Sequence, residues 1–543
     1  MKKVLYILFM ATSFCAMAQN QTIDPTVEVN RDFQGKIMEI AKGKLNTTIA
    51  DSLNIYNIDF NYSFFNRQYK DLYEFSPLPS VNLVESNGAD ECTFMAKGGI
   101  GYPLSPEVAL WYTPLKGENG NYLSFDGQYN HFNGKGTKEN TYRAGGNYTR
   151  IFKWGEAGLS AGFNGGGNTV KSETAPFSHR FTQIAFDGNI KPIEAREAGR
   201  KFNWGLGGEY IRTMDKSNAS SAENYGLIEG YFGPTFGKYS QLTADISIKG
   251  VEYEGGSDYH YGVFEIVPQY KYERGGLTLH LGARLSGAFS SKDDADRYHN
   301  FLLPAVNLTF VLQREKLWAY GILDGENHLN SWAALLEGNR YINPDETPQN
   351  IMMGSTPLKI EGGLKGRTTD KFSYRIYARY AVHRGMLQYA YNDGGWYNAF
   401  NSNHNEFGAG ADITAKLENF LLQGEFDYAS FSKGKNSTFT DGLQACGKPE
   451  LSGKISAMYN WKGGISAGLA CKGWGSYYAA IWESGECRKI NGNADLDINV
   501  QYAVSPMLSV YLSGENILNS PSYNHPFHTG RGGCAIAGII IKL

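Results

Sequence analysis

Residues able to do chemistry recur along this 543-residue chain, yet few are spaced for a reaction. His525 and His528 stand three apart beside Tyr523, which would suit two ligands of a metal, but no further ligands can be placed near them. Asp293, Asp294 and Asp296 form an acidic run flanked by Lys292 and Arg297, without the glycine and distal glutamate of a calcium loop. The cysteines beyond the N-terminus (Cys92, Cys446, Cys471, Cys487 and Cys534) are odd in number, irregularly spaced and free of any Cys-x-x-Cys pair. That argues against a disulfide framework or a zinc site and leaves room for one bridge in a loop. Serines and aspartates are plentiful, but no nucleophile is legibly tied to a histidine and an acidic partner. Neither catalysis nor a cofactor or metal is expected.

The charges with a pattern are spaced by two. Lys359, Glu361, Lys365 and Arg367 share a parity, as do Arg375, Arg379 and His383. So do Asp412 and Lys416, Glu425 and Asp427, and Asp495 and Asp497, while the intervening positions are mainly apolar. Successive side chains of an extended strand point to opposite faces, so each set lines one face. Both signs occur in comparable number. Two readings follow: a polar conduit that binds or passes a hydrophilic solute, or a hydrated wall whose charges pair between neighbouring strands and stiffen it. A lining of one sign would have implied ion selectivity, and this is not one.

These faces need strands to carry them. Leu277 to Phe289 alternates apolar odd positions with Thr278, His280, Arg284 and Ser286. Phe372 to Val382, Phe407 to Leu417, Ala494 to Val504 and Leu508 to Gly514 repeat the pattern, which is the period of a two-faced strand. Gly (65) and Tyr (36) are abundant, and turn-forming clusters recur, as a chain of many strands requires. No stretch approaches the ~20 apolar residues of a membrane-crossing helix. The mean hydropathy of −0.39 is no objection to a membrane location, because a barrel alternates lipid-facing and lumen-facing residues. Lys plus Arg (51) nearly balance Asp plus Glu (54), which gives no case for a nucleic-acid partner.

Connections alternate between short and long. Short links include Lys153–Glu156, Glu273–Gly276, Thr368–Lys371, Leu417–Asn419, Trp461–Gly464 and Val504–Met507. Long ones include Ser290–Asn300, Gly325–Ser355, Gly385–Asn405, Phe431–Cys446, Trp482–Asn493 and Ile517–Gly532. Outer-membrane barrels have short periplasmic turns and long outer loops, which places both termini in the periplasm. The expected fold is therefore all-β: a transmembrane antiparallel β-barrel of about 22 strands in residues 92–543, in contact with outer-membrane lipid. Gly533 to Leu543 closes it, with Ala535, Ala537, Ile539, Ile541 and Leu543 toward lipid. In the long link 385–405, Trp396, Tyr397 and Phe400 stand beside Asn392, Asn401, Asn403 and Asn405. They suit either a sugar or peptide ligand or simple packing at the membrane interface.

The front of the chain reads as a leader. Lys2 and Lys3 precede an apolar run from Val4 to Phe14, and Ala16-Met17-Ala18 is a small-x-small cleavage site, so residues 1–18 are a signal peptide cut between Ala18 and Gln19. Residues 19–91, with Tyr56, Phe60, Tyr62, Phe64, Phe65 and Tyr69, form a short periplasmic or lumenal extension.

The C-terminal run Glu515-Asn516-Ile517-Leu518-Asn519, the later pair Gly530-Arg531 and the closing strand resemble the end of TonB-dependent receptors. Gly447-Lys448-Pro449-Glu450 and Asn343-Pro344 followed by Leu358 to Gly363 are similar to that family's barrel. Residues 19–91 carry no plug-like sequence, so the resemblance is to the plugless barrels of this type found in Bacteroidota. It implies a transporter or receptor component for a hydrophilic solute, of unnamed ligand. The alternative is a scaffold within an outer-membrane assembly that moves nothing. A barrel this wide must be filled, by the extension, by inward-folded loops, or by a periplasmic or outer-membrane protein partner.

Overall fold

The computed structural model describes residues 93–543, apart from 172–176, 194–200, 217–219, 256–257, 291–297, 344–352, 435–443, 522–524, 529–530 and the single positions 315 and 370. The expected leader with its Ala18–Gln19 cleavage, the extension 19–91, the Asp293 run and Gly530 lie outside the described residues.

The described residues form 24 strands. The first twelve are β1 (Phe94–Tyr102), β2 (Glu107–Glu118), β3 (Asn121–Asn133), β4 (Thr137–Phe152), β5 (Gly155–Val170), β6 (Phe177–Pro192), β7 (Phe202–Lys216), β8 (Ser220–Phe236), β9 (Ser240–Glu254), β10 (Tyr259–Arg274), β11 (Leu277–Ser290) and β12 (Leu302–Gln313). The rest are β13 (Leu317–Leu329), β14 (Met353–Thr369), β15 (Phe372–Tyr391), β16 (Tyr397–Leu417), β17 (Phe420–Phe431), β18 (Leu451–Trp461), β19 (Ile465–Trp474), β20 (Tyr477–Ile481), β21 (Cys487–Ile490), β22 (Asn493–Ala503), β23 (Leu508–Glu515) and β24 (Cys534–Lys542). β20 and β21 make a hairpin outside the wall, since β19 pairs directly with β22. The other 22 pair antiparallel in chain order, and β24 returns to β1 with Met95 opposite Lys542 and Tyr102 opposite Ala535. Closure leaves no free edge.

Alternation explains the wall. On β15, Phe372, Ile376 and Tyr380 point outward, with Ile376 56% exposed, while Arg375, Tyr377 and Arg379 point inward. On β24 the outward set is Ala535, Ala537, Ile539, Ile541 and Leu543. Its inward set, Cys534, Ile536 and Ile540, packs with Met95, Phe132 and Tyr511 to seal the seam on the inside as well. Among the described residues no helix is long and apolar enough to cross a membrane. The exposed apolar residues form a continuous outer belt, a surface that calls for lipid rather than water.

The six short links named from the sequence lie at one end, together with the first residue of β1 and Leu543, while 103–106 and 134–136, equally short, lie at the other. The long ones lie at that other end too. One expectation is corrected there. Residues 385–405 are not a loop: β15 runs to Tyr391 and β16 begins at Tyr397, so only 392–396 turn. The register shifts between His383 and Met386, and beyond it the hairpin is covered on both faces, Asn398, Asn401 and Ser402 included. A strand buried on both sides loses the polar–apolar contrast by which strands are read. The long link after β13 also holds structure. It carries a short helix, α1 (Trp332–Gly338), which starts where the Ser331 hydroxyl accepts from Ala334 N at 3.2 Å.

Candidate functional site

The inner face of β14 to β17 carries a continuous network of charges. Arg375 Nε donates to Asp412 Oδ2 at 2.6 Å. Arg379 spans two carboxylates: Nε reaches Glu406 at 2.6 Å, and Nη2 reaches Asp427 at 2.7 Å. His383 Nε2 meets the other oxygen of Glu406 at 2.8 Å, and Tyr377 donates to Asp427 at 2.9 Å. Glu361 accepts from Tyr320 at 2.9 Å, with Lys359 at 3.9 Å. Register places these groups side by side, because Arg375 is opposite Asp412 and Arg379 is diagonal to Glu406. The planar fork of arginine presents its donors to the two carboxylates in a fixed geometry, whereas a lysine ammonium is a point charge on a flexible stem.

The other residues singled out from sequence are scattered. Glu425 lines a small cavity with Tyr377, Asp412, Asp427 and Lys454. Lys365 lies opposite Arg375 on β14. Arg367 and Lys416 sit at the short-turn end, where their backbone N–H groups donate to Lys316 and Lys371. Asp495 and Asp497, on β22, form a separate group. Asp497 Oδ1 accepts from Asn516 N at 2.8 Å. The C-terminal run braces a loop. Asn516 and Asn519 take positive φ (47° and 54°), a conformation asparagine tolerates better than most residues. The Asn516 side chain donates to Ser520 O and Arg531 O, both at 2.9 Å, and Arg531 pairs with Glu515 at 2.9 Å.

The long-loop end holds what the sequence reading passed over. The segment from Asn330 to Asn343 leaves β13 and meets β10 to β7, then β6, then β4. Trp332 N and Ala333 N donate to the Glu223 carboxylate of β8 at 2.6 and 3.3 Å. Trp332, Leu335 and Leu336, all essentially inaccessible, pack on Ile211, Tyr225, Val251, Tyr253 and Tyr261 of β7 to β10. Arg340 O accepts from His179 Nδ1 of β6 at 2.7 Å, and His179 Nε2 faces Asp215 at 2.6 Å. Tyr341 OH donates to Glu139 of β4 at 3.3 Å. The same segment bonds to the tip of the β15–β16 hairpin, with Tyr397 N donating to Tyr341 O and Asn343 N to Tyr397 O, both at 2.9 Å. β4 and β16 stand almost half a turn of the ring apart, so this chain of contacts spans the opening. Glu223 and Glu139 could have been found by continuing the period-2 reading into β8 and β4.

Aromatic residues seal the crossing. Val170, Tyr341, Trp396 and Tyr397 are buried together, with Tyr391 beside them. His525 and His528 stack on Tyr341 at 4.4 and 4.5 Å between ring centres, and Phe527 packs on Tyr391 at 5.0 Å. The two histidines therefore serve packing here. Among the described residues no group of three or more His, Cys, Asp or Glu could hold a metal ion. The Trp396–Asn401 aromatics and amides are likewise interior to the cover.

Burial lowers His528 from its ordinary 6.5 to about 4, against an opposing hydrogen bond with the Gly395 backbone. Between those values the unfolded segment binds a proton that the packed one excludes. The stability contributed is whole above pH 6.5 and falls as the pH drops toward 4, by up to about 3 kcal/mol. Acidification from pH 7 to 4.5 is thus expected to loosen the cover, read as protease sensitivity of the long loops in intact folded protein. His528→Phe should flatten that pH response, and an unchanged response in the variant would refute the assignment.

Two Gly-x-Ser-x-Gly matches occur, Gly158–Gly162 and Gly464–Gly468. Both belong to wall strands, β5 and the start of β19, and neither sits on the strand-to-helix turn that exposes a nucleophile. Ser160 Oγ instead donates to Asp187 at 3.2 Å.

No family model and no curated protein matches the chain. Solved structures do match. The FrpB iron transporter from Neisseria meningitidis (F5-1 variant) aligns with TM-score 0.64 at 12% identity, over 83% of this chain and 82% of that one. The copper transporter OprC aligns with TM-score 0.60 at 13% identity, over 83% and 80%. The siderophore receptor PiuA from Acinetobacter baumannii aligns with TM-score 0.61 at 11% identity, over 83% and 81%. What is shared at such identities is the fold, a closed antiparallel β-barrel of 22 strands.

Proposed function

We propose that this protein is an outer-membrane transporter or receptor component for a hydrophilic solute, a plugless relative of the TonB-dependent receptors of the Bacteroidota type. The observation that carries the reading is a wide polar lumen whose long-loop end is crossed by the chain's own loops. In this orientation the short turns and both termini face the periplasm, and residues 330–343, the β15–β16 tip and the β23–β24 loop cover the outer mouth. The inner charges are of both signs, which suits a polar solute rather than one class of ion. The lumen below the cover is closed by residues 19–91 or by a periplasmic or outer-membrane protein partner. The protein binds or passes its ligand without bond chemistry and needs no cofactor.

A second reading has its own support. Three inner-wall carboxylates on β16 and β17, Glu406, Asp412 and Asp427, are held by arginines, as in a wall built for stiffness, and a scaffold subunit would look the same. Planar-bilayer recordings on the full chain separate the two. Stepwise conductance, enlarged when the cover is loosened, is expected of the transporter. Silence from correctly folded protein, in the wild type and in Trp332→Ala alike, would overturn it in favour of the scaffold. A stoichiometric partner retained in mild detergent identifies the periplasmic closure.

A further inference from the structure

Two cysteines from different loops meet at the outer end. Cys446 lies in the connection between β17 and β18. Cys487 opens β21, opposite Ala480. Their sulfurs are 3.3 Å apart with no bond between them. The approach is fixed on both sides by backbone. Cys446 forms a parallel bridge with Tyr478, and Gly447 N donates to Tyr478 O at 2.7 Å. Cys446 N donates to Gln388 Oε1 at 2.9 Å. β20 in turn runs parallel to the end of β15, with Ala390 opposite Ala480 and Tyr391 opposite Ile481. Ala390, Phe400 and Ala480 enclose the pair, with Tyr478 and Trp482 at its margin. A disulfide needs a separation of about 2.05 Å, so the two sulfurs must close by a little over 1 Å.

We propose that Cys446 and Cys487 are joined as a disulfide in the exported protein, fastening the β17–β18 connection to the β20–β21 hairpin over the barrel mouth. The inference rests on the outer-membrane reading above, because that location removes the thiols from the reducing cytoplasm. Cys487, the less buried of the two, supplies the attacking thiolate. The oxidant is the disulfide of a periplasmic dithiol–disulfide oxidoreductase. The Cys487 thiolate attacks one carrier sulfur, breaking the carrier disulfide and forming a mixed disulfide. The Cys446 thiolate then attacks Cys487 Sγ, forming the internal bond and expelling the carrier's thiolate. The two cysteines lose two protons and two electrons, and the carrier leaves as its dithiol. The exchange takes place while the loops assemble, before Phe400 and Trp482 close around the sulfurs.

The test uses the full chain recovered from outer membranes with an alkylating reagent present from lysis, digested without reduction and mapped by mass spectrometry. A Cys446 peptide linked to a Cys487 peptide is expected, with alkylation lost at both positions until a reductant is added. Cys487→Ser should restore alkylation at Cys446, while Cys471→Ser should leave the link intact. Full alkylation of both wild-type cysteines, or a link to any other cysteine, overturns the proposal. Recovery of the chain outside the outer membrane would instead overturn the proposed location, a separate result read from the fractionation alone.

Discussion

Replacing Trp332 by alanine is expected to open the mouth of the barrel. Trp332 is fully enclosed between α1 and the inner face of β8 to β10, edge-on to Tyr253 at 6.4 Å. Truncating a buried tryptophan costs about 3–5 kcal/mol where the site cannot collapse, and a tyrosine-lined wall strand cannot move inward to fill the gap. Applied to an equilibrium between a seated and an unseated crossing segment, that loss shifts the populations by about two to nearly four orders of magnitude. The wall is untouched, because every strand keeps its ladder. The measurement is single-channel open probability in planar bilayers, with folding verified by the strand signal in circular dichroism. Glu223→Gln should act in the same direction and more weakly, by about 1.5–3 kcal/mol, because it removes the charge and leaves one acceptor oxygen for the two backbone N–H groups. Unchanged currents in folded Trp332→Ala would show that the crossing segment does not control the opening.

The second large effect is expected at Arg379. Its guanidinium lies between Glu406 and Asp427, whose side chains are only 11% and 10% exposed. Arg379→Gln leaves two poorly hydrated carboxylates facing each other, and removing one partner of such a buried network costs about 3–5 kcal/mol. The check is the urea midpoint of reversible unfolding in lipid or detergent. Arg379→Lys should recover part of the loss, since it restores the charge without the pre-organised fork that meets both acids. The triple change Arg379→Gln, Glu406→Gln and Asp427→Asn should recover most of it, since no buried charge is then left alone. A loss below about 1 kcal/mol in the single variant would mean the network is hydrated like a surface pair.

These two sites were unequally legible in sequence. Arg379 and Asp427 emerge from parity alone, because neighbouring strands pair in chain order and the inner face follows from one alternation. The site at Trp332 does not. A seven-residue helix is too short to display a helical period, and its stretch Trp-Ala-Ala-Leu-Leu resembles any apolar link. The β15–β16 tip was hidden for a related reason, its strands being buried on both faces.

The sequence by itself determined the wall: strand order, antiparallel pairing, which face meets lipid, and the number of about 22. Each of these is a local property, settled between residues adjacent in the chain or across one turn. Only the tertiary structure decided what crosses the mouth. Tyr341 meets Glu139 across 202 positions, Arg340 meets His179 across 161, and Trp332 meets Glu223 across 109. Contacts of that separation leave no periodic trace, because closing the ring is what brings their partners together.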